Sequence, residues 1–122
     1  LSAYNLRENM LLLDSDLSDV QRSFITSNKE GVKESIKRFS KHAMELFGNK
    51  EKFAIMLPKH KRHKANEAVM AAQIIKHNVA IILDAVDNKH RQSARIRREE
   101  SQRAYTYIEH ACFRCHNLVR DQ

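Results

Sequence analysis

The chain has 122 residues, with 22 Lys or Arg against 15 Asp or Glu and a formal charge of +7. That length suits one domain around a single core, here 1–122, and two Gly with one Pro leave few points at which long helices would break. No apolar run approaches the length that crosses a bilayer, and basic residues interleaved with acidic ones argue against the one-faced basic module of a nucleic-acid binder.

The periodicity predicts a first helix from about Leu1 to Ile25, with Leu6, Met10, Leu13, Leu17, Val20 and Phe24 as an inward seam at steps of four and three. Glu8, Asp14, Asp16, Asp19 and Gln21 form its polar face. Ser27 with Glu30 reads as a capping box that opens a second helix. That helix runs through Val32, Ile36, Phe39, Ala43 and Leu46 to Gly48, where a left-handed C-cap is expected.

Residues 49–62 lose the period. The apolar run Phe53 to Leu57, just before the single proline Pro58, suggests a helical turn that closes one end of the fold. The basic cluster from Lys59 to Lys64 reads as a solvated loop or as a docking patch for an acidic partner. A third helix follows from about His63 to Val86, small along Ala65, Ala68 and Ala72 and larger along Ile75, Val79, Ile82 and Val86. Such a gradient either widens the interior for a bulky cofactor or packs small residues against large neighbours. Asp87-Asn88 reads as a tight turn, and a fourth helix extends to about Arg120 with Ala104, Ile108, Ala111, Cys115 and Leu118 inward. The expected fold is all-α, an antiparallel up-down-up-down four-helix bundle.

Near the end of the fourth helix stands Cys112-Phe113-Arg114-Cys115-His116, and it holds both cysteines of the chain. C-x-x-C-H is the attachment signature of a c-type haem: each thiol adds across one vinyl group, and the adjacent imidazole ligates the iron. No thiol is left for a disulfide or a Cys-rich zinc site. A redox dithiol is disfavoured because it expects a βαβ context.

The sixth iron position separates an electron carrier from a gas-binding protein. Met10 and His116 would lie at similar levels, within about 5 Å along the axis at roughly 1.5 Å per residue, if the two helices finish flush. Met10 is then either a distal ligand or core filler. Of the other histidines, His110 sits on the haem helix and cannot reach its far side, His60 and His63 fall near the middle connection, and His42, His77 and His90 look solvent-facing. A bis-His site is the minor alternative.

On these residues the chain resembles class II c-type cytochromes, the four-helix family that includes cytochrome c′ and carries C-x-x-C-H near its C-terminus. Asn5-Leu6-Arg7-Glu8-Asn9-Met10 is also similar to the ligand-bearing first helix of the periplasmic b-type bundle cytochrome. The resemblance implies one covalent haem c and its iron, with His116 and Met10 as axial ligands and Arg120 as a basic residue near the proximal imidazole. It also implies a periplasmic protein whose signal peptide has been removed. Nothing from Leu1 onward looks like such a leader, and the lack of an initiator Met suits a processed chain or an excised fragment.

The expected function is electron transfer without bond-making chemistry, so not an enzyme, with redox partner proteins that dock through acidic surfaces. The rival is a five-coordinate cytochrome c′-like protein that binds or senses NO or CO, and a weaker third reading is a haem-bearing sensory or structural bundle. Family members often pair through helices one and two. Leu11, Leu12 and Ile25, off the seam, are either contacts of such a homodimer or ordinary surface scatter.

Overall fold

The structure, a computed structural model, describes residues 5–119, with side-chain surroundings through residue 117. Five helices form in order: α1 Leu6–Ile25, α2 Lys29–Phe47, α3 Lys50–Ile55, α4 Ala65–Val86 and α5 Ala94–Val119, with a 3-10 segment Lys59–Lys64 leading into α4. The fold is all-α, and no strand occurs among the described residues.

Asparagine side chains start the first three helices. Asn5, Asn28 and Asn49 accept the amides of Glu8, Gly31 and Lys52 at 3.0, 2.9 and 2.9 Å, each satisfying one otherwise unpaired N–H of a first turn. The α2 cap is therefore Asn28 and not the Ser27 expected from the Ser-x-x-Glu pattern. Ser27 belongs to the end of α1, where it takes a left-handed φ of 55° while Asn28 N–H donates to Ser23 C=O and Ser27 N–H to Phe24 C=O. This is a Schellman closure, and its geometry uses Ser27 before a cap is needed.

Gly48 also departs from expectation. Its φ of −75° is right-handed, and the glycine is needed for space, because a Cβ there would overlap the Met44 carbonyl oxygen. Between α4 and α5 the turn is longer than two residues. Asn88 and Arg91 both sit at φ 52°, Asn88 Oδ1 accepts the Gln92 amide at 2.8 Å, and α5 starts only at Ala94 behind Ser93.

α4 is the central element, packed on α2 along one side and on α5 along another, while α1 packs on α2. The core is the seam residues of α2 and α4, with Leu13 and Val20 of α1, Phe53 and Leu57 from the connection, and Ala104, Ile108, Ala111 and Cys115 of α5. The small residues in the first half of α4 let α5 approach closely, so the gradient along α4 serves packing and not a cavity. Residues 59–86 are in fact long and apolar enough to cross a membrane by length and composition, contrary to the sequence reading. Their apolar character has an internal explanation, since Ala65, Ala68, Ala72, Ile75, Val79 and Ile82 face the core.

Two expectations about charge are also corrected. Asp16 is on the buried side of α1, where its Oδ1 accepts from Arg38 Nε at 2.9 Å and its Oδ2 from His42 Nδ1 at 2.6 Å. His42 is thus a partner in the α1–α2 contact and not a solvent-facing side chain. In the basic segment, Lys61 is buried, and Arg62 Nε donates to Ala54 C=O at 3.2 Å and Leu57 C=O at 3.3 Å, fastening the segment to α3. Lys59, His60 and His63 remain on the surface.

Candidate cofactor site

α1 and α5 stand apart. Among the described residues no Cα of α1 lies within 8 Å of a Cα of α5, although helices in direct contact ordinarily bring their axes to about 8–10 Å. Side chains bridge the gap at one level: Phe24 and Tyr105 meet edge to face at 5.8 Å, and Tyr105 Oη donates to Leu17 C=O at 3.3 Å. Beyond that bridge the separation opens into a groove of about 670 Å³, within the range of about 300–1,000 Å³ usual for sites that take a cofactor-sized ligand.

Met10, Leu13 and Leu17 line the α1 wall of the groove, and Tyr105, Glu109, Cys112 and His116 line the α5 wall. Phe47, buried at the end of α2, also lines it. Leu11 and Phe113, which also line it, are 58% and 63% exposed, a pair of large apolar side chains left open to solvent. Among the described lining residues Met10 is the only methionine and His116 the only histidine. His42, His60, His63, His77, His90 and His110 do not line the groove, so a second histidine ligand has no candidate there.

The signature itself is divided. At about 100° per residue, Cys112, Cys115 and His116 share one arc of α5, with His116 about 40° to one side of Cys112 and Cys115 about 60° to the other. Cys112 and His116 therefore open on the groove, while Cys115 is buried toward Glu67, Met70, Ala71 and Ile74 of α4. Bringing Cys115 to a group in the groove requires the last turns of α5 to rotate.

Burial is the main cause that pushes the Cys112 thiol up to about 12, with Cys115 and Glu109 adding to it. Burial, followed by the charge of Glu67, raises Cys115 to about 11. Both are then neutral thiols at ordinary pH. A working redox dithiol instead lowers the pKa of its attacking cysteine, so the electrostatics run against that use of the C-x-x-C spacing.

Met10 is only partly buried, as are Leu6, Leu17 and Phe24. The seam read from the sequence is thus split: Leu13 and Val20, with Asn9 and Asp16, are buried, and Leu6, Met10, Leu17 and Phe24 are only partly so. Asn9 is held over α3 by Nδ2 donating to Met56 Sδ at 3.8 Å. Phe47, Tyr105 and Glu109 were not anticipated as part of the site. Tyr105, Glu109, Cys112 and His116 follow a four-three-four spacing that marks them as one stripe, next to the inward stripe used for packing. Arg120 lies outside the described residues.

No three His, Cys, Asp or Glu side chains gather as a metal site among the described residues. A haem needs no such cluster, because the porphyrin supplies four donors and the protein only the axial ones. The residues present fit that group: a thiol and an imidazole on one wall, a thioether on the other, and apolar side chains between. Comparison with protein-family models, curated proteins and solved structures finds no match to this chain.

Proposed function

We propose that this chain is a monohaem c-type cytochrome of the class II type, acting as a periplasmic electron-transfer protein. The observation that carries the reading is the groove between α1 and α5, onto which the sequence-predicted Met10, Cys112 and His116 all open. Cys112 and Cys115 would hold the haem covalently, and His116 and Met10 would ligate its iron. The haem supplies a one-electron couple, and a Met/His pair raises its potential.

The protein's own residues keep water from the site and hold it rigid. Leu13, Leu17 and Phe47 exclude solvent, while Tyr105 ties α5 to α1 through the Leu17 carbonyl. Leu11 and Phe113, exposed at the groove, would meet a partner that docks there. The exposed Lys59, His60 and His63 belong to the 3-10 segment that packs on both α4 and α5, which supports docking of an acidic redox partner on the side of the molecule near the motif.

The long helices are read as an up-down-up-down bundle of α1, α2, α4 and α5. Packing of neighbours in chain order supports this, as do the cross-links Asp16 to Arg38, Lys33 to Asp87 at 2.9 Å and Tyr105 to Leu17. Leu11 and Ile25, 58% and 75% exposed, are available for a homodimer through α1 and α2, which sedimentation of the holoprotein would detect.

The test is expression with export and a haem-attachment system, followed by absorption spectra of both oxidation states. Haem that stays with the denatured chain, and a low-spin ferric spectrum with a methionine-sulfur charge-transfer band, are expected. A high-spin five-coordinate spectrum would assign the chain to the NO- or CO-binding class, and failure to attach haem would remove the cytochrome reading altogether.

A further inference from the structure

Core packing uses one arc of α4 and leaves a second apolar arc open. Ile75, Val79 and Ile82 are buried, but of the most apolar 18-residue window in residues 59–86 only 39% is buried. At about 100° per residue, Met70, Ile74 and Ile81 share an arc about 40° wide that stands about 100–140° from Ile75. Met70 and Ile74 are 43% and 39% exposed, and Ile81 is half-buried. α5 supplies the neighbouring stripe, Tyr107, Ala111 and Arg114, at steps of four and three, with Tyr107 53% exposed. The stripes meet at a crevice of about 20 Å³, which Met70 and Ile74 line from α4 and Ala111 and Arg114 from α5. That space holds about one water, so an apolar strip of this kind is covered by another macromolecular surface and not by a small ligand.

The charges on the strip select the surface that covers it. Glu67 and Arg114 line the crevice from opposite helices, yet no ion pair or hydrogen bond joins them among the described residues. Further along stand Arg103 and Glu100 of α5, the latter accepting from Gln92 at 3.2 Å, and Asp84 of α4, near Lys89 at 3.9 Å and His90 at 3.5 Å. His77 and His110 border the strip on the outer side, both exposed. Carboxylates and cations are thus balanced here, in a chain whose formal charge is +7. An acidic partner or an anionic membrane gains nothing from a balanced face, whereas two copies of a cationic chain repel least through one. Ala85 shares a cavity with Ala94, and Glu67 shares the crevice with Arg114, so α4 and α5 run side by side in opposite directions. A two-fold axis parallel to them sets α4 of one copy on α5 of the other at the same level. Glu67 then meets Arg114 of the second copy, and about two turns further on Ile74 meets Tyr107 of the second copy.

We propose that the outer α4–α5 face is a docking surface for a second copy of this chain, with Met70, Ile74, Ile81 and Tyr107 as its apolar strip and Glu67 against Arg114 across the two-fold axis. The strip supplies the affinity, and the exposed ion pairs fix the register. The crevice shares no lining residue with the groove, and the face lies apart from Leu11 and Ile25 of α1, so the proposal is independent of the haem reading and of pairing through α1 and α2.

Sedimentation equilibrium of the whole protein, in one cofactor state throughout and from micromolar to submillimolar concentration, should show a reversible monomer–dimer equilibrium. Ile74→Asp should weaken association by about tenfold or more, since it puts a charge at the centre of the strip. Tyr107→Ser, at a more exposed side chain, should do the same and serves if Ile74→Asp does not fold. Glu67→Arg should weaken association by repelling Arg114 of the second copy, and Glu67→Arg with Arg114→Glu should recover it. Ile25→Asp, on α1, should leave it unchanged. A monomer at every concentration, association that survives Ile74→Asp and Tyr107→Ser, a Glu67→Arg variant that associates as the parent does, a double variant no better than Glu67→Arg, or a dimer that Ile25→Asp abolishes would overturn the proposal. So would a monomer that co-sediments with phosphatidylglycerol vesicles, which would assign the face to a membrane surface.

Discussion

Removing the Asp16 carboxylate tests whether the contact between α1 and α2 depends on a buried ion-pair network. Asp16 has a side chain only 4% exposed and holds Arg38 at 2.9 Å and His42 at 2.6 Å. Breaking a fully buried pair costs about 3–5 kcal/mol, chiefly because a charge is stranded. Arg38 would not be stranded here, since its side chain is 45% exposed and its Nη2 still reaches Asp19 Oδ2 at 2.6 Å. The loss is therefore closer to that of two discounted charge-assisted bonds, about 2.5 kcal/mol, and the better helix propensity of alanine returns about 0.5 kcal/mol. Asp16→Ala is expected to cost about 2 kcal/mol net, or about 8 °C in Tm for a chain of this size. Urea denaturation followed by circular dichroism, with parent and variant in the same cofactor state, measures it. Asp16→Asn, which keeps the volume and one acceptor oxygen, should cost less. A loss within about 0.5 kcal/mol for Asp16→Ala would refute the argument and leave the network as surface decoration.

Further expectations concern the caps, the groove and the thiols. Asn28→Ala should destabilise by about 1 kcal/mol in the same denaturation assay, whereas Ser27→Ala should leave stability nearly unchanged, because Asn28 and not Ser27 caps α2. Burial first, then the charges of Glu109, Asp14 and Cys112, push the Tyr105 phenol from its ordinary 10.0 up to about 12. The folded state holds that proton where the unfolded chain releases it, so this stabilisation is complete below pH 10 and is lost as pH rises from 10 through about 12. Ultraviolet titration should show a late-ionising phenol that Tyr105→Phe abolishes. Replacing both Cys112 and Cys115 with Ala should leave any haem extractable from the denatured chain by acidified solvent, while either single variant should retain it through one thioether.

The all-helical character was legible because breakers are scarce and the α2 seam keeps its period without interruption. All five seam residues named for that helix, Val32, Ile36, Phe39, Ala43 and Leu46, are buried. Helix ends were harder, since Ser27 and Asn28 are both good caps and only the backbone path decides which is used. Asp16 was misplaced because a carboxylate reads as a surface residue unless its partners are known, and Arg38 and His42 are 22 and 26 residues away.

The candidate site was legible in its chemistry and less so in its shape. Met10, Cys112 and His116 were named from sequence and open on one groove. Periodicity placed Met10 and His116 at similar levels, and it carries no signal of how far apart α1 and α5 stand. Cys115 was read both as an inward residue of α5 and as a haem-attachment thiol; it is inward, toward α4, and C-x-x-C-H spacing alone does not tell which way the arc of α5 is turned.

The most direct measurement is the ferric absorption spectrum of Met10→Ala holoprotein beside that of the parent. With Met10 as the sixth ligand, haem stays covalently attached, the iron becomes high-spin or water-ligated, the methionine-sulfur band disappears and the reduction potential falls. Carbon monoxide or nitric oxide should then bind where the parent binds it slowly or not at all. An unaltered low-spin spectrum, with only the loss of stability of about 2–5 kcal/mol that truncating a packed methionine brings, would contradict Met/His ligation across the α1–α5 groove.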